Sequence, residues 1–249
     1  MLQKYARIYS RFGFQIRHYA KPIEIASIID ITRTVVETND VQVLNSSYIE
    51  FRRSLNLLTS SGDIDSIIGR LSKFCADPVT VYLGMLCRVC ALLNAGRLQE
   101  CMEDVQTLLL LDNQAAIKKG STGYTNERIL LLANHFLYNL LLMSKNTDKK
   151  KLESCVQSIQ QLNPDFMPGC LDVANFYQSQ PDHAGDDIAE ENYNRAVELC
   201  PENEEAILSR SLYFSRNKHT VKRAVIDCKR VLSINPNNAE AKELLKTLK

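Results

Sequence analysis

Between Ala189 and Pro201, small and aromatic residues recur among polar ones at the spacing of an α-helix. Ala189, Tyr193 and Ala196 stand at offsets 0, 4 and 7, and Pro201 follows at offset 12. Such offsets put three side chains on one stripe of a helix. Proline lacks a backbone N–H donor and clashes with the preceding turn, so it ends a helix. The pattern therefore predicts a helix with one buried stripe that stops just before Pro201.

The same pattern returns four more times along the chain. The terminating position is again a proline, except that Asp112–Asn113 replaces it in one copy, and the earliest copy is one residue short. Successive terminating positions, from Pro78 to Pro236, are 35, 51, 37 and 35 residues apart. The chain is therefore expected to consist of short repeats, one of them enlarged. The copies comprise Ile67, Leu71, Phe74 and Pro78; Cys101, Val105, Leu108 and Asn113; Leu152, Val156, Ile159 and Pro164; and Ala224, Cys228, Val231 and Pro236.

A second helical pattern precedes the last two copies. It places Ile207, Ser211 and Phe214, and likewise Cys170, Ala174 and Tyr177, at spacings of four and three. The small middle residue permits the paired helix to approach closely. Each repeat is thus predicted to be an antiparallel helix pair. The predicted pairs cover residues 46–76, 80–111, 126–162, 168–200 and 204–235, and a final cap helix covers 239–248.

A helix–turn–helix unit with these small, aromatic and terminal proline positions resembles the tetratricopeptide repeat. The resemblance implies an all-α fold, a right-handed superhelix of antiparallel helix pairs closed by a C-terminal cap helix. The chain departs from the family in lacking the early tryptophan, which Met85, Cys170 and Ile207 replace. It also carries about 17 extra residues in one unit. We expect one helical-repeat domain over residues 22–249, with an insertion near 113–126.

Stacked tetratricopeptide repeats form a concave surface that holds segments of other proteins, so the resemblance implies a protein partner. Polar residues on the first helices, displaced from the packing stripe, are the candidate contacts. Because ordinary solvated helix faces carry similar residues, that plainer interpretation stays open. The candidates are Asp172, Asn175, Gln178 and Arg216.

No residue pattern that supports catalysis or metal binding is recognisable. Cys87 and Cys90 have the spacing of half a zinc site, but they stand in a helical run without a second pair, so we expect buried thiols. His135 lies in the apolar stretch Ile129–Met143, which is predicted to be a buried helix with a hydrogen-bonded core histidine. We therefore predict no enzymatic activity, no metal and no cofactor.

Charge is unevenly distributed. The first 23 residues carry five basic and no acidic side chains, whereas the remainder carries 25 basic and 29 acidic ones. Residues 1–21 can form an amphipathic helix, and Arg17–Ala20 is similar to a mitochondrial processing site. We expect a mitochondrial presequence and a matrix location. The alternative is an ordinary first helix in a cytosolic or nuclear protein.

Three functional hypotheses follow. The first is a non-enzymatic scaffold or assembly subunit that holds a partner segment, with a mitochondrial location predicted from the basic leader. The second is a cytosolic or nuclear subunit that meets a larger complex through the apolar faces of 82–93 and 129–143. The third is a helical-repeat RNA-binding protein, which the net negative body argues against.

Overall fold

The computed structural model describes residues 63–76, 81–117, 126–144, 148–181 and 184–248, and these ranges contain helices and connections but no strand. The predicted all-α class is therefore confirmed. The helices that these ranges hold are α1 (Ile64–Cys75), α2 (Val81–Asn94), α3 (Leu98–Ile117), α4 (Asn126–Met143), α5 (Lys149–Leu162), α6 (Met167–Gln178), α7 (Asp186–Leu199), α8 (Glu204–Phe214), α9 (Val221–Ile234) and α10 (Ala239–Thr247).

The contacts divide the chain into two compact units with a boundary at Asp148 and Lys149. One unit contains α1 to α4, and the other contains α5 to α10. Within each unit, consecutive helices pack against one another. Short connections between packed helices make neighbours antiparallel, as the repeat pattern predicts. The leader 1–21 lies outside the described residues, and a single domain over 22–249 stays a prediction.

The predicted stripes are the core of the protein. Every stripe residue of the second helices is at most 8% exposed. Local helix geometry therefore fixes which side chains face inward, and the predicted register is confirmed. The stripes comprise Ile67, Leu71 and Phe74 on α1; Cys101, Val105 and Leu108 on α3; Leu152, Val156 and Ile159 on α5; Ala189, Tyr193 and Ala196 on α7; and Ala224, Cys228 and Val231 on α9.

Proline ends three of these helices as predicted, because α5, α7 and α9 each stop two residues before Pro164, Pro201 or Pro236. The helix α3 behaves differently, since it continues past Asn113 to Ile117. The prediction of a terminator at Asn113 is wrong, because asparagine keeps its N–H donor and does not obstruct the preceding turn. Part of the expected insertion near 113–126 is therefore additional helix.

Small residues allow the helices of a pair to approach closely. A Cβ atom added to Gly84 on α2 would lie 2.9 Å from Cβ of Phe74 on α1. On α8, Ser211 is fully buried and its Oγ donates to the Ala224 carbonyl oxygen at 2.9 Å. On α6, Ala174 is fully buried, but Tyr177 is only half-buried and Phe176 takes the inward position. The first-helix stripe predicted for α6 thus holds except at its last residue.

The cap helix α10 is tied to the pair before it. Its capping residue Asn238 accepts a hydrogen bond from the Ala241 N–H and donates through Nδ2 to Glu204 Oε2 at 2.9 Å. Ala241 and Leu244 are buried. The predicted cap helix is therefore confirmed. Asn238 caps its N-terminus, and its apolar side is buried within the same unit.

The apolar stretch 129–143 lies in α4 and is mostly buried, as predicted. His135 is buried, and Asn139 Nδ2 approaches its Nδ1 at 3.4 Å and donates to its carbonyl oxygen at 2.9 Å. No helix in the described ranges combines the length and the apolar character needed to cross a membrane.

Candidate protein-binding surface

Asp172 lies in the core of the protein rather than on the exposed surface where the sequence analysis places it. Its side chain is 0% exposed. Burial raises the pKa of the Cys155 thiol on α5 to about 12, and the nearby Asp172 carboxylate adds to the rise. The helix α6 packs against α5 as well as α7, so its exposed face is narrower than a single packing stripe suggests. The expectation that Asp172 is exposed is therefore wrong.

The side-chain amides of Asn175 and Gln178 on α6 both lie close to one hydroxyl group on α7, that of Tyr193. The Tyr193 hydroxyl donates to Asn175 Oδ1 at 2.7 Å and lies 3.2 Å from Gln178 Oε1. The ring of Tyr193 is fully buried at the α7 stripe, whereas Asn175 and Gln178 are half-buried. These two amides thus provide acceptors for the hydroxyl group of a buried tyrosine, and part of their own surface is exposed to solvent.

Arg216 joins the same group from the neighbouring first helix. It follows the end of α8, and its Nη1 donates to the Gln178 carbonyl oxygen at 3.4 Å. One turn before Arg216, the ring centroid of Tyr213 lies 5.2 Å from that of Tyr193. The Tyr213 hydroxyl donates to the Asp186 carbonyl oxygen at 2.9 Å. Burial raises the pKa of Tyr213 to about 12, so this hydroxyl stays protonated at neutral pH.

The structure therefore brings three of the four predicted residues together and leaves out Asp172. We call Asn175, Gln178, Tyr193, Tyr213 and Arg216 the amide–tyrosine cluster. The sequence pattern does not identify the two tyrosines as members. It assigns Tyr193 to packing alone, and Tyr213 stands next to Phe214, which occupies the predicted stripe position. An aromatic residue beside a stripe position is the available signal.

A second polar arrangement, which the sequence analysis missed, spans three helices. Arg210 on α8 binds both carboxylate oxygens of Asp227 on α9, at 2.9 and 2.8 Å. Its third nitrogen, Nη1, donates to Asn194 Oδ1 on α7 at 3.2 Å. The Arg210 and Asp227 side chains are 17% and 5% exposed. We call this arrangement a three-helix clasp.

The other unit contains the same arrangement. Arg88 on α2 binds both oxygens of Asp104 on α3, and its Nη1 donates to Ser72 Oγ on α1 at 3.0 Å. The arginine precedes its aspartate by 16 residues here and by 17 in the other clasp. In both units a first-helix arginine thus joins its own second helix to the preceding one.

The cysteines whose side chains the structure describes are free thiols, and burial disfavours the thiolate form of the buried ones. Cys87 is buried, and burial raises its pKa, whereas the side chain of Cys90 lies outside the described part of the chain. Burial also raises the pKa of Cys101 to about 12. Metal binding and nucleophilic chemistry require the thiolate. The described residues contain no group of three or more histidine, cysteine or acidic side chains placed to hold a metal.

Neither a protein-family model nor a curated protein matches this chain. Several solved structures share its fold. MamA has 18% sequence identity and a TM-score of 0.53, with 78% of this chain and 94% of MamA aligned. TTC0263, a thermophilic TPR protein of Thermus thermophilus, has 16% identity and a TM-score of 0.54, with 82% and 98% aligned.

A third solved structure is YrrB, described as a TPR protein with an unusual peptide-binding site. It has 13% identity and a TM-score of 0.51, with 87% of this chain and 97% of YrrB aligned. At such low identities a likeness concerns the fold alone. The predicted fold class, a helical-repeat superhelix of the tetratricopeptide type, is confirmed.

Proposed function

We propose that this protein is a non-enzymatic scaffold that binds a segment of a partner protein at the amide–tyrosine cluster. The observation that carries the proposal is the position of Asn175, Gln178, Tyr213 and Arg216. They lie on or next to the neighbouring first helices α6 and α8, and all four are half-buried. Amide, phenol and guanidinium groups offer both donors and acceptors to a polypeptide backbone.

The tetratricopeptide fold supports this proposal by analogy, since YrrB is described as having a peptide-binding site. An aromatic ring next to an arginine is also a composition enriched at the centres of protein interfaces. The partner is thus proposed to be a polypeptide. A mitochondrial location remains part of the proposal on the strength of the basic, acid-free leader alone.

Site-specific photo-crosslinking tests this function. A photo-reactive amino acid replaces Gln178 in one variant and Arg216 in another, and it replaces Gln161 on α5, which is exposed, in a control. We expect positions 178 and 216 to capture the same protein in cells and position 161 to capture none of it. Capture of that protein at all three positions, or at position 161 only, would contradict the proposed surface.

A further inference from the structure

Exposed apolar side chains concentrate on two neighbouring helices, α7 and α9. Of the four large apolar residues that are strongly exposed in the described ranges, Ile188 lies on α7, and Ile226 and Ile234 lie on α9, at 36%, 64% and 40% exposure. The fourth, Leu110, lies on α3 in the other unit and is 62% exposed. Single exposed apolar residues are ordinary. Three of them on adjacent helices form a surface suited to contact with a partner.

The outward face of α9 is basic. With about 100° per residue, Lys222, Lys229, Arg230 and Arg223 fall within an arc of about 120° that has Ile226 near its centre. The only acidic residue of α9, Asp227, points inward and is held by Arg210. Lys222 and Lys229 are exposed and form no ion pair with any described residue. The face therefore offers uncompensated positive charge around an exposed apolar side chain.

The outward face of α7 has the opposite charge. Asp187, Glu191 and Glu198 are exposed and fall within an arc of about 40°. Arg195 shares this face, but it is engaged with Asp165 at 2.5 Å and with Glu198 at 3.6 Å. Asp187 and Glu191 form no ion pair among the described side chains. An acidic face thus lies beside a basic one on the same side of one unit.

The two helices run side by side in the same direction. Near their N-termini, Arg223 Nη1 lies 2.6 Å from Glu190 Oε1. Near their C-termini, Arg230 Nη2 donates to the Pro201 carbonyl oxygen at 2.6 Å. The first contact puts Glu190 level with Arg223, so Asp187 and Glu191 bracket the height of Lys222. By the same register, Glu198 stands at the height of Arg230.

We propose that this two-helix face binds the same face of a second copy of the chain. A two-fold axis that runs between α7 and α9, parallel to both, places α7 of each copy over α9 of the other. Acidic and basic residues of matching height then face each other twice. A perpendicular axis in the same plane would place α7 over α7 and α9 over α9, which opposes like charges. Charge therefore selects the first arrangement.

The area of the face predicts a weak dimer. Each helix has 14 residues, hence a length of about 21 Å, and two helix widths of about 10 Å give about 400 Å² per copy. Stable complexes bury about 800 Å² per partner. We expect reversible association at micromolar concentration that weakens as salt screens the charged pairs. This surface is separate from the amide–tyrosine cluster and does not depend on its function.

Sedimentation equilibrium of the full chain tests the proposal at concentrations from about 10 to about 300 µM, in about 50 mM and about 500 mM salt. We expect a concentration-dependent dimer at low salt and a dissociation constant at least tenfold higher at high salt. The Ile226→Ser variant should weaken the dimer, whereas Leu110→Ser, which removes an equally exposed residue on α3, should not. A wild-type protein that stays monomeric throughout would overturn the proposal.

A charge-swap experiment identifies the arrangement. Lys222→Glu/Lys229→Glu removes the positive excess of the α9 face while the α7 face stays acidic, and Asp187→Lys/Glu191→Lys makes the α7 face basic beside the basic α9 face. Each variant alone should therefore dimerise much more weakly than the wild type. An equimolar mixture should form a heterodimer, because each copy then faces the opposite charge twice. Circular dichroism melting checks that each variant folds, and the single changes Lys229→Glu and Glu191→Lys replace any that does not. Dimers of unchanged affinity in both separate variants, or no complex in the mixture, would refute this two-fold contact.

Discussion

The Tyr193 hydroxyl donates a hydrogen bond to Asn175 Oδ1 at 2.7 Å, which connects a buried stripe position of α7 to a half-buried residue of α6. The bond makes Asn175 both a supporting residue and a surface residue. Its substitution is therefore expected to affect stability as well as binding, and the two effects need separate measurements.

Removing the acceptor should cost more than removing the donor. Asn175→Ala leaves a buried phenol with one weaker acceptor, Gln178 Oε1, so we expect a loss of about 1–2 kcal/mol in unfolding free energy. Tyr193→Phe keeps the ring and removes only the hydroxyl, so we expect about 1 kcal/mol or less. Urea unfolding of both single variants and of the double variant measures the coupling. Additive losses would show that this hydrogen bond contributes nothing.

Arg216→Ala should reduce binding of the photo-captured partner at least tenfold and change the unfolding free energy by no more than about 0.5 kcal/mol. Arg216 follows the end of α8, and its hydrogen bond to the Gln178 carbonyl is long, at 3.4 Å. Calorimetric titration and thermal melting give the two quantities. Arg70→Ala, at an exposed position on α1, is the matched control and should alter neither. Unchanged affinity in Arg216→Ala would place the partner elsewhere.

The three-helix clasp of α7, α8 and α9 should contribute to stability, and removal of its carboxylate should lower the unfolding free energy. Asp227→Ala leaves the Arg210 guanidinium largely buried without its counter-ion, so we expect a loss of about 2–4 kcal/mol. Glu190→Ala disrupts the exposed ion pair with Arg223 and should cost less than about 1 kcal/mol. Guanidinium denaturation compares the two. Equal small losses would mean that the clasp is not a stabilising arrangement.

Ala196 is fully buried, so Ala196→Asp should destabilise the protein by several kcal/mol and sharply reduce its melting temperature. A carboxylate at this position would lose its hydration, and burial of a charge without compensation is costly. Ala239→Asp, at the exposed first position of α10, serves as the control and should be neutral or slightly stabilising, because acidic residues suit helix N-termini. A variant at Ala196 that melts like the wild type would refute the assigned register.

Stability should decline in alkali because of the buried thiols. Burial raises the pKa of Cys101 and Cys155 from 9.0 to about 12, so folding favours the neutral thiol. This contribution is fully present below pH 9 and is lost as the pH rises from about 9 towards 12, by up to about 1.4 kcal/mol per pH unit for each thiol. Urea unfolding at increasing pH should show a shallower decline in Cys155→Ala than in the wild type. Identical slopes would exclude Cys155 as a source.

Sequence patterns predicted the stripes well because their geometry is local. The burial of Ala196 and Val231 depends only on helical periodicity and on a proline that fixes where each helix ends. Asp172 was misplaced because its environment depends on how many neighbours surround α6. Periodicity along one helix indicates its main contact face but does not report a second packed neighbour.

The polar contacts between helices were beyond such patterns for a related reason. The Arg210–Asp227 pair joins residues 17 positions apart, and that spacing depends on the length and path of the intervening turn. Likewise, the Tyr193 hydroxyl reaches Asn175 only because α6 and α7 pack at a particular height. Contacts of this kind need the relative placement of two elements, which neither element encodes alone.

Because Arg210 bonds to the helix before it as well as the helix after it, the helix pair α8–α9 is not a self-sufficient building block. If that pair were transplanted into another array, Arg210 would keep Asp227 and lose Asn194, its acceptor on α7. A cut that starts at Asp186 instead of Glu204 would carry all three partners together. The smallest segment of this chain that can be exchanged intact is therefore three helices long. Hybrid arrays assembled from helix pairs would contain an Arg210 guanidinium that has lost one of its hydrogen-bond acceptors.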